Sequence, residues 1–205
     1  MRSAIAELLD RIHQLEDELE SELALRRQAL AHKVKERTGR AEQEWRAAQR
    51  RLREGLFRYL RTTRLTTYLT APVIYSLIVP LSLLDLSMTV YQRICFPAYG
   101  IPRARRGDYI ALDRHDLPYL NLIERLNCVY CGYGNGVIAY AREVAARTEQ
   151  YWCPIKHARK VLGAHRRYYG FLEHGDAEGY RNRLEAIREA VRAPQPPPGG
   201  DATGA

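Results

Sequence analysis

Residues 65–91 read LTTYLTAPVIYSLIVPLSLLDLSMTVY and contain one charged side chain, Asp85. The twenty residues from Leu65 to Leu84 carry no charge. As a helix rising 1.5 Å per residue they extend about 30 Å, the thickness of a bilayer core. Thr66, Thr67 and Thr70 open the stretch, Pro72 and Pro80 interrupt it, and only Ala71–Leu84 is densely apolar. Two soluble readings fit the same letters: a buried core helix and an oligomer interface.

The charge on either side of this stretch suggests a geometry. Arg50, Arg51, Arg53, Arg58, Arg61 and Arg64 precede it, and Arg93, Arg103, Arg105 and Arg106 follow. A single span normally leaves its basic flank on the cytoplasmic side alone. Two basic flanks therefore predict a hairpin that dips into the membrane, bent near Pro80, with both ends cytoplasmic. Proline removes a backbone hydrogen bond and kinks a helix. Asp85 is costly deep in lipid and belongs near a bend or the interface. Tyr59, Tyr68 and Tyr91 stand where interfacial aromatics are expected. The opening MRSAIAELLDR has acidic residues and no apolar core, so it does not read as a signal peptide. The expected location is the cytoplasmic side of the inner membrane.

The remaining composition is that of a folded protein. The chain has 205 residues, 46% hydrophobic and 27% charged, with a formal net charge of +8. A mean hydropathy of −0.43 excludes a polytopic membrane protein. The charge is segregated: residues 1–25 hold two basic and seven acidic side chains, and residues 26–64 hold thirteen and four. The basic residues run into the apolar segment instead of alternating with a groove-reading face. That pattern suits anionic lipid headgroups, at about 1 kcal/mol per charge, better than nucleic acid.

Residues 3–62 read as one or two long helices. Ile5, Leu8, Ile12, Leu15 and Leu19 follow coiled-coil spacing, a stutter leads to Leu23, and the seam continues loosely through Leu30, Ala41, Trp45, Ala48, Leu52 and Leu56. Gly39 and Gly55 are the breaks. This region predicts homo-oligomerisation, a partner-binding helix, or a helix packed on the chain's own C-terminal domain.

The four cysteines, Cys95, Cys128, Cys131 and Cys153, all lie behind the apolar stretch. In a reducing compartment, grouped cysteines point to metal or redox chemistry more than to disulfides. Cys128 and Cys131 are separated by two residues, a spacing that lets both thiolates reach one tetrahedral ion. Cys153 and His157 form a second pair. The set Cys128, Cys131, Cys153 and His157 suits zinc, and Cys95 in place of His157 suits zinc or an iron–sulfur cluster. A thiol redox pair and plain buried thiols are the alternatives. Spacing raises an objection: if Val137–Gln150 is a regular helix packed antiparallel to residues 117–129, Cys153 lies far from Cys128.

Asp113-Arg114-His115-Asp116 is a dense ionisable cluster, with Asp116 expected to cap a helix starting at Leu117. His115 is a candidate general base or metal ligand. Gly132-Tyr-Gly-Asn-Gly136 reads as a turn, because it lacks the Lys-Ser/Thr of a phosphate loop. His165, Arg166 and Arg167 with Tyr168 and Tyr169 read as a solvated basic–aromatic face. Asp176 is expected to cap a final helix ending near Arg192, and residues 193–205 read as a disordered tail.

Three segments carry a resemblance: ICFPAYGIP from Ile94, NCVYCGYGNG from Asn127 and AARTEQYWCPIKH from Ala145. Over residues 57–180 the chain resembles a group of bacterial membrane-associated, Cys-rich proteins with no assigned activity. The resemblance implies that the apolar stretch and the cysteines belong to one unit, and it transfers no catalytic residue.

The expected fold is all-α: a long N-terminal helix over 1–62, then an apolar hairpin or membrane helix with a helical Cys/Tyr-rich domain over 63–192. The leading functional expectation is a cytoplasmic-side membrane protein with a thiolate-ligated zinc or iron–sulfur site. A coiled-coil membrane adaptor with structural cysteines is the alternative, followed by an enzyme on a membrane-borne substrate using His115 near Cys153.

Overall fold

The computed structural model describes residues 2–35 and 39–193, so the expected tail lies outside the described residues beyond Ala193. The chain is all-α, and the only β feature among the described residues is an isolated bridge between Ile155 and Leu172. It divides into two compact units, with the boundary between Leu52 and Arg53.

The first unit contains α1 (Arg2–Lys35) and α2 (Gly39–Arg51). Leu8, Ile12, Leu15, Leu19, Leu23 and Leu30 are all exposed, so the apolar seam of α1 is open along its described length. The side chain of Ile5 lies outside the described ones. Glu22–Arg26 and Glu42–Arg46 ion pairs brace the helices at i,i+4 spacing.

The second unit begins with α3 (Leu56–Thr62), whose N-cap is Gly55, one of the two glycines expected to break the helix. Next come α4 (Leu65–Ser76) and α5 (Ile78–Tyr99). The expected reversal at Pro80 does not occur. The interruption is at Leu77, which keeps right-handed helical angles, and α5 continues from it in the same sense. Pro80 falls in the first turn of α5, where its missing N–H has no intrahelical partner to lose, so it does not break the helix. The segment is therefore the continuous form of the two expected, not the hairpin.

Helix α5 ends on Gly100, at φ 70°, a left-handed conformation that favours glycine. The Gly100 N–H donates to Pro97 O at 3.2 Å, and the Ile101 N–H donates to Phe96 O at 2.9 Å. This double bond pattern stops the helix, and Phe96 and Ile101 bury together beside it.

Residues 101–121 form an irregular strap that returns along the helices to the start of α6 (Leu122–Trp152). Because of this return, α5 and α6 run parallel. Tyr75 meets Asn127, Asp85 meets Tyr133, Gln92 meets Tyr140, Tyr91 meets Thr148, and Tyr99 packs on Tyr151. The antiparallel partner expected within residues 117–129 is in fact part of the strap and the first turns of α6.

Helix α6 starts at Leu122, five residues later than expected. Asn121 caps it and Glu124 completes a capping box, whereas Asp116 lies in a 3₁₀ turn, Asp113–Asp116. Residues 132–136 are helical, not a turn. Helix α7 (Ala177–Arg192) is capped by Asp176 as expected. It delivers Val191 to a core of Phe96, Ile101, Ala104, Tyr140, Val144 and Tyr151.

Candidate functional site

Two surfaces of the second unit are distinctive: an exposed apolar segment and a buried polar stripe that follows it on the same helical run. Leu65–Tyr99 is long and apolar enough to cross a membrane, and only 6% of its most apolar window is buried. No residue of α4 is buried. The nine consecutive residues Pro72–Pro80 are exposed, which covers every direction around the helix axis. A soluble core helix hides at least one face, so this segment is not one.

The polar stripe begins at Asp85. Its side chain is buried in spite of its charge, and Arg106 of the strap holds it. Arg106 Nη2 donates to Oδ2 at 2.7 Å and Nε donates to Oδ1 at 2.9 Å, a two-point grip that Lys could not reproduce. The Tyr133 hydroxyl donates to Oδ2 at 3.0 Å. One turn and then two turns on, Thr89 and Gln92 face the same side. Gln92 closes a pair of bonds with Ala104: the Ala104 N–H donates to Oε1 at 3.0 Å, and Nε2 donates to Ala104 O at 3.2 Å. Nε2 also bonds the Tyr140 hydroxyl. Asp85, Thr89 and Gln92 thus each have a partner, as burial demands.

Three glycines of α6 let the strap and α5 approach. A Cβ on Gly136 would lie 2.7 Å from Tyr109 O and 2.9 Å from Ile110 Cα, too close to the strap backbone to be accommodated. On Gly132 it would lie 3.1 Å from Ala111 O, and on Gly134 it would meet only the end of Leu81 at 3.3 Å. The motif read as a turn is a helix face made smooth for close packing. Its four-residue spacing between Gly132 and Gly136, on one face, was the available signal.

A third polar group fixes the far side of α6. Arg147, 9% exposed, donates to Glu143 Oε1 at 2.7 Å and to Pro102 O at 2.6 Å. Arg167 donates to the same Glu143 oxygen at 2.8 Å and to Gln150 at 3.0 Å. Burial pushes the Glu143 carboxyl up, but the Arg147 hydrogen bond and the Arg167 charge outweigh it, so it titrates below the ordinary glutamate range. His165 meets Glu149 at 2.8 Å. The basic–aromatic patch expected on a solvated face is instead a 3₁₀ turn, Arg166–Gly170, that docks on α6.

The cysteines are not gathered. Cys128 and Cys131 lie in the first third of α6, half-buried and exposed respectively, and Cys153 is exposed just past its end. Twenty-five helical residues separate Cys128 from Cys153, about 37 Å. Cys95 belongs to α5, and His157, exposed, stacks on Tyr168 at 6.0 Å. No group of three His, Cys, Asp or Glu side chains converges among the described residues. The five expected donors are thus not brought together among the described residues, the glycine segment between Cys131 and Val137 being helix. His115 is exposed, bonded to Leu112 O and 3.3 Å from Asp116. Its neighbour Arg114 lies against Gly132, so about 30 Å of helix separates this turn from Cys153. The expected pairing of His115 with Cys153 is absent.

No family model, curated protein or solved structure matches the chain.

Proposed function

We propose that the protein is a membrane-anchored helical adaptor on the cytoplasmic face. In this reading α4 and the first turns of α5 lie in lipid, and Arg53, Arg58, Arg61 and Arg64 meet anionic headgroups. The open seam of α1 takes a partner helix, a second copy of the chain being the simplest. The body built by α5, the strap, α6 and α7 is the module carried at the surface.

One observation carries the reading. Within a charge-free run of twenty residues, Pro72–Pro80 stays exposed around the whole helix while the unit that contains it has a formed core. Apolar surface of that extent marks a membrane or a protein interface. An interface would use one stripe, whereas lipid surrounds a helix. The scattered cysteines support an adaptor with passive thiols over a metal protein or an enzyme.

Washing membranes with carbonate tests the anchor: the protein stays with the pellet. Release into the supernatant contradicts insertion. A metal retained on purification without oxygen, and lost on joint Cys128→Ser and Cys131→Ser replacement, contradicts the passive role of the thiols.

A further inference from the structure

The parallel packing of α6 sets a limit on how deeply the apolar segment can enter the membrane. At one end of α4, the Tyr68 hydroxyl donates to Leu60 O at 2.5 Å, which ties the start of α4 to α3 and its Arg58 and Arg61. Arg64 is the N-cap of α4 itself. At the other end, the Tyr130 hydroxyl donates to Ile74 O at 2.6 Å, and Tyr130 packs edge-on against Tyr75 at 5.4 Å. Tyr75 also bonds Asn127. Glu124 and Arg125 lie within one turn of Asn127, so charge returns at the level of Tyr75. Slightly further on, Leu81 meets Gly134, Arg106 of the strap grips Asp85 of α5, and Arg114 lies against Gly132 of α6.

Set across the bilayer with Arg64 at one surface, the helix would place Tyr75 about 15 Å deep, at the middle of a hydrocarbon core of about 30 Å. A full crossing would carry Glu124, Arg125 and the irregular backbone of the strap into lipid, where neither unpaired charge nor unpartnered peptide groups persist.

We infer that Leu65–Val79 inserts into one leaflet only, with Arg64 and the strap arginines Arg103 and Arg105 at the same membrane surface. Arg103 and Arg105 are exposed, and so are Arg61 and Arg64. Ala104, between Arg103 and Arg105, bonds Gln92. Exposed basic side chains thus stand before the segment and again beside α5 beyond it, which suits the anionic headgroups of a single leaflet when both helices lie along it. The two basic flanks noted in the sequence are explained without a hairpin, by an α4 that lies along the leaflet in the membrane plane and an α5 that continues it at the same surface. This rests on the membrane reading above.

The test uses the full chain with Cys95, Cys128, Cys131 and Cys153 replaced by Ser, carrying either Arg61→Cys or Arg103→Cys. Sealed right-side-out and inside-out vesicles are treated with a membrane-impermeant maleimide. Both positions are expected to react at least tenfold faster from the same face. Reaction of the two from opposite faces would establish a span and overturn the one-leaflet insertion while leaving the anchor intact. Loss of both variants to the carbonate supernatant, together with the unsubstituted chain, would overturn the anchor itself. Retention of the unsubstituted chain with loss of both variants identifies the replacements as the cause. Arg58→Cys and Arg105→Cys then take their places, read by the same two outcomes.

Discussion

The two halves of the Leu65–Tyr99 run follow one helical course and differ in what surrounds them. From Leu65 to Pro80 the helix is apolar and half-buried only at Ala71, and its hydrogen bonds to α6 run through Ile74 and Tyr75. From Asp85 to Phe96 its outer face carries the exposed Arg93, and Asp85, Thr89 and Gln92 form an inward stripe matched to α6 and the strap. Apolar residues alone leave the first half without a partner in the chain. Polar residues at helical spacing give the second half one defined neighbour and register, because each buried polar group accepts few arrangements. The difference teaches that, in a helix greasy enough for lipid, the polar positions specify the packing.

The largest break in this symmetry comes from truncating one large apolar side chain in each half. Phe96→Ala should cost about 3–5 kcal/mol, since Phe96 is fully buried in the core. Leu69→Ala, 70% exposed, should change the stability of the body by no more than about 0.5 kcal/mol. Thermal unfolding in detergent compares the two, and equal losses would mean that α4 belongs to the core.

Removal of the buried carboxylate comes next. Asp85→Ala leaves Arg106 and Tyr133 without their acceptor and should cost about 2–3 kcal/mol. The half-exposed guanidinium can turn to water, which keeps the loss below that of a fully buried pair. Asp85→Asn should cost less, because the acceptor oxygen remains. Denaturant midpoints of the two variants decide this.

The glycine face sharpens the comparison at closer range. Gly136→Ala should cost about 1–3 kcal/mol through collision with the strap backbone. Gly134→Ala should be close to neutral, because the Leu81 side chain can yield and alanine gains about 1 kcal/mol of helix propensity. A similar loss at both positions would contradict the strap placement.

The smallest effect is set by pH. Glu143 has its folded pKa depressed, so its contribution is complete above the ordinary glutamate value and is lost as pH falls through the lower folded value. Hydrogen exchange at Arg166–Gly170 should therefore accelerate on acidification before the α5–α6 core does. Glu143→Gln should abolish that acid dependence.

Much of the architecture was legible in the letters. The 3–4 spacing gave α1, Gly55 marked the start of α3, Asp176 marked α7, and the charge gap marked α4–α5. The polar stripe was also readable, since 85, 89, 92 and 96 lie on one helical face. What could not be read was the course of residues 101–121. Their contacts come from α5 and α6, twelve to forty-five residues away, and no local periodicity encodes them. That missing return reversed the expected pairing of α6, turned the glycine segment from turn into packing face, and separated the cysteines. The 3₁₀ turn at Asp113–Asp116 misled for the same reason: a capping residue there satisfies a short turn, while Asn121 and Glu124 together make the stronger start.

The most direct test of the exposed half places a spin label at Leu69→Cys in the chain whose four native cysteines are serine, reconstituted in anionic vesicles. Collision rates with oxygen and with a water-soluble nickel chelate are then compared. Lipid immersion predicts frequent collisions with oxygen and almost none with the chelate. Free access of the chelate to residue 69 would contradict the membrane anchor.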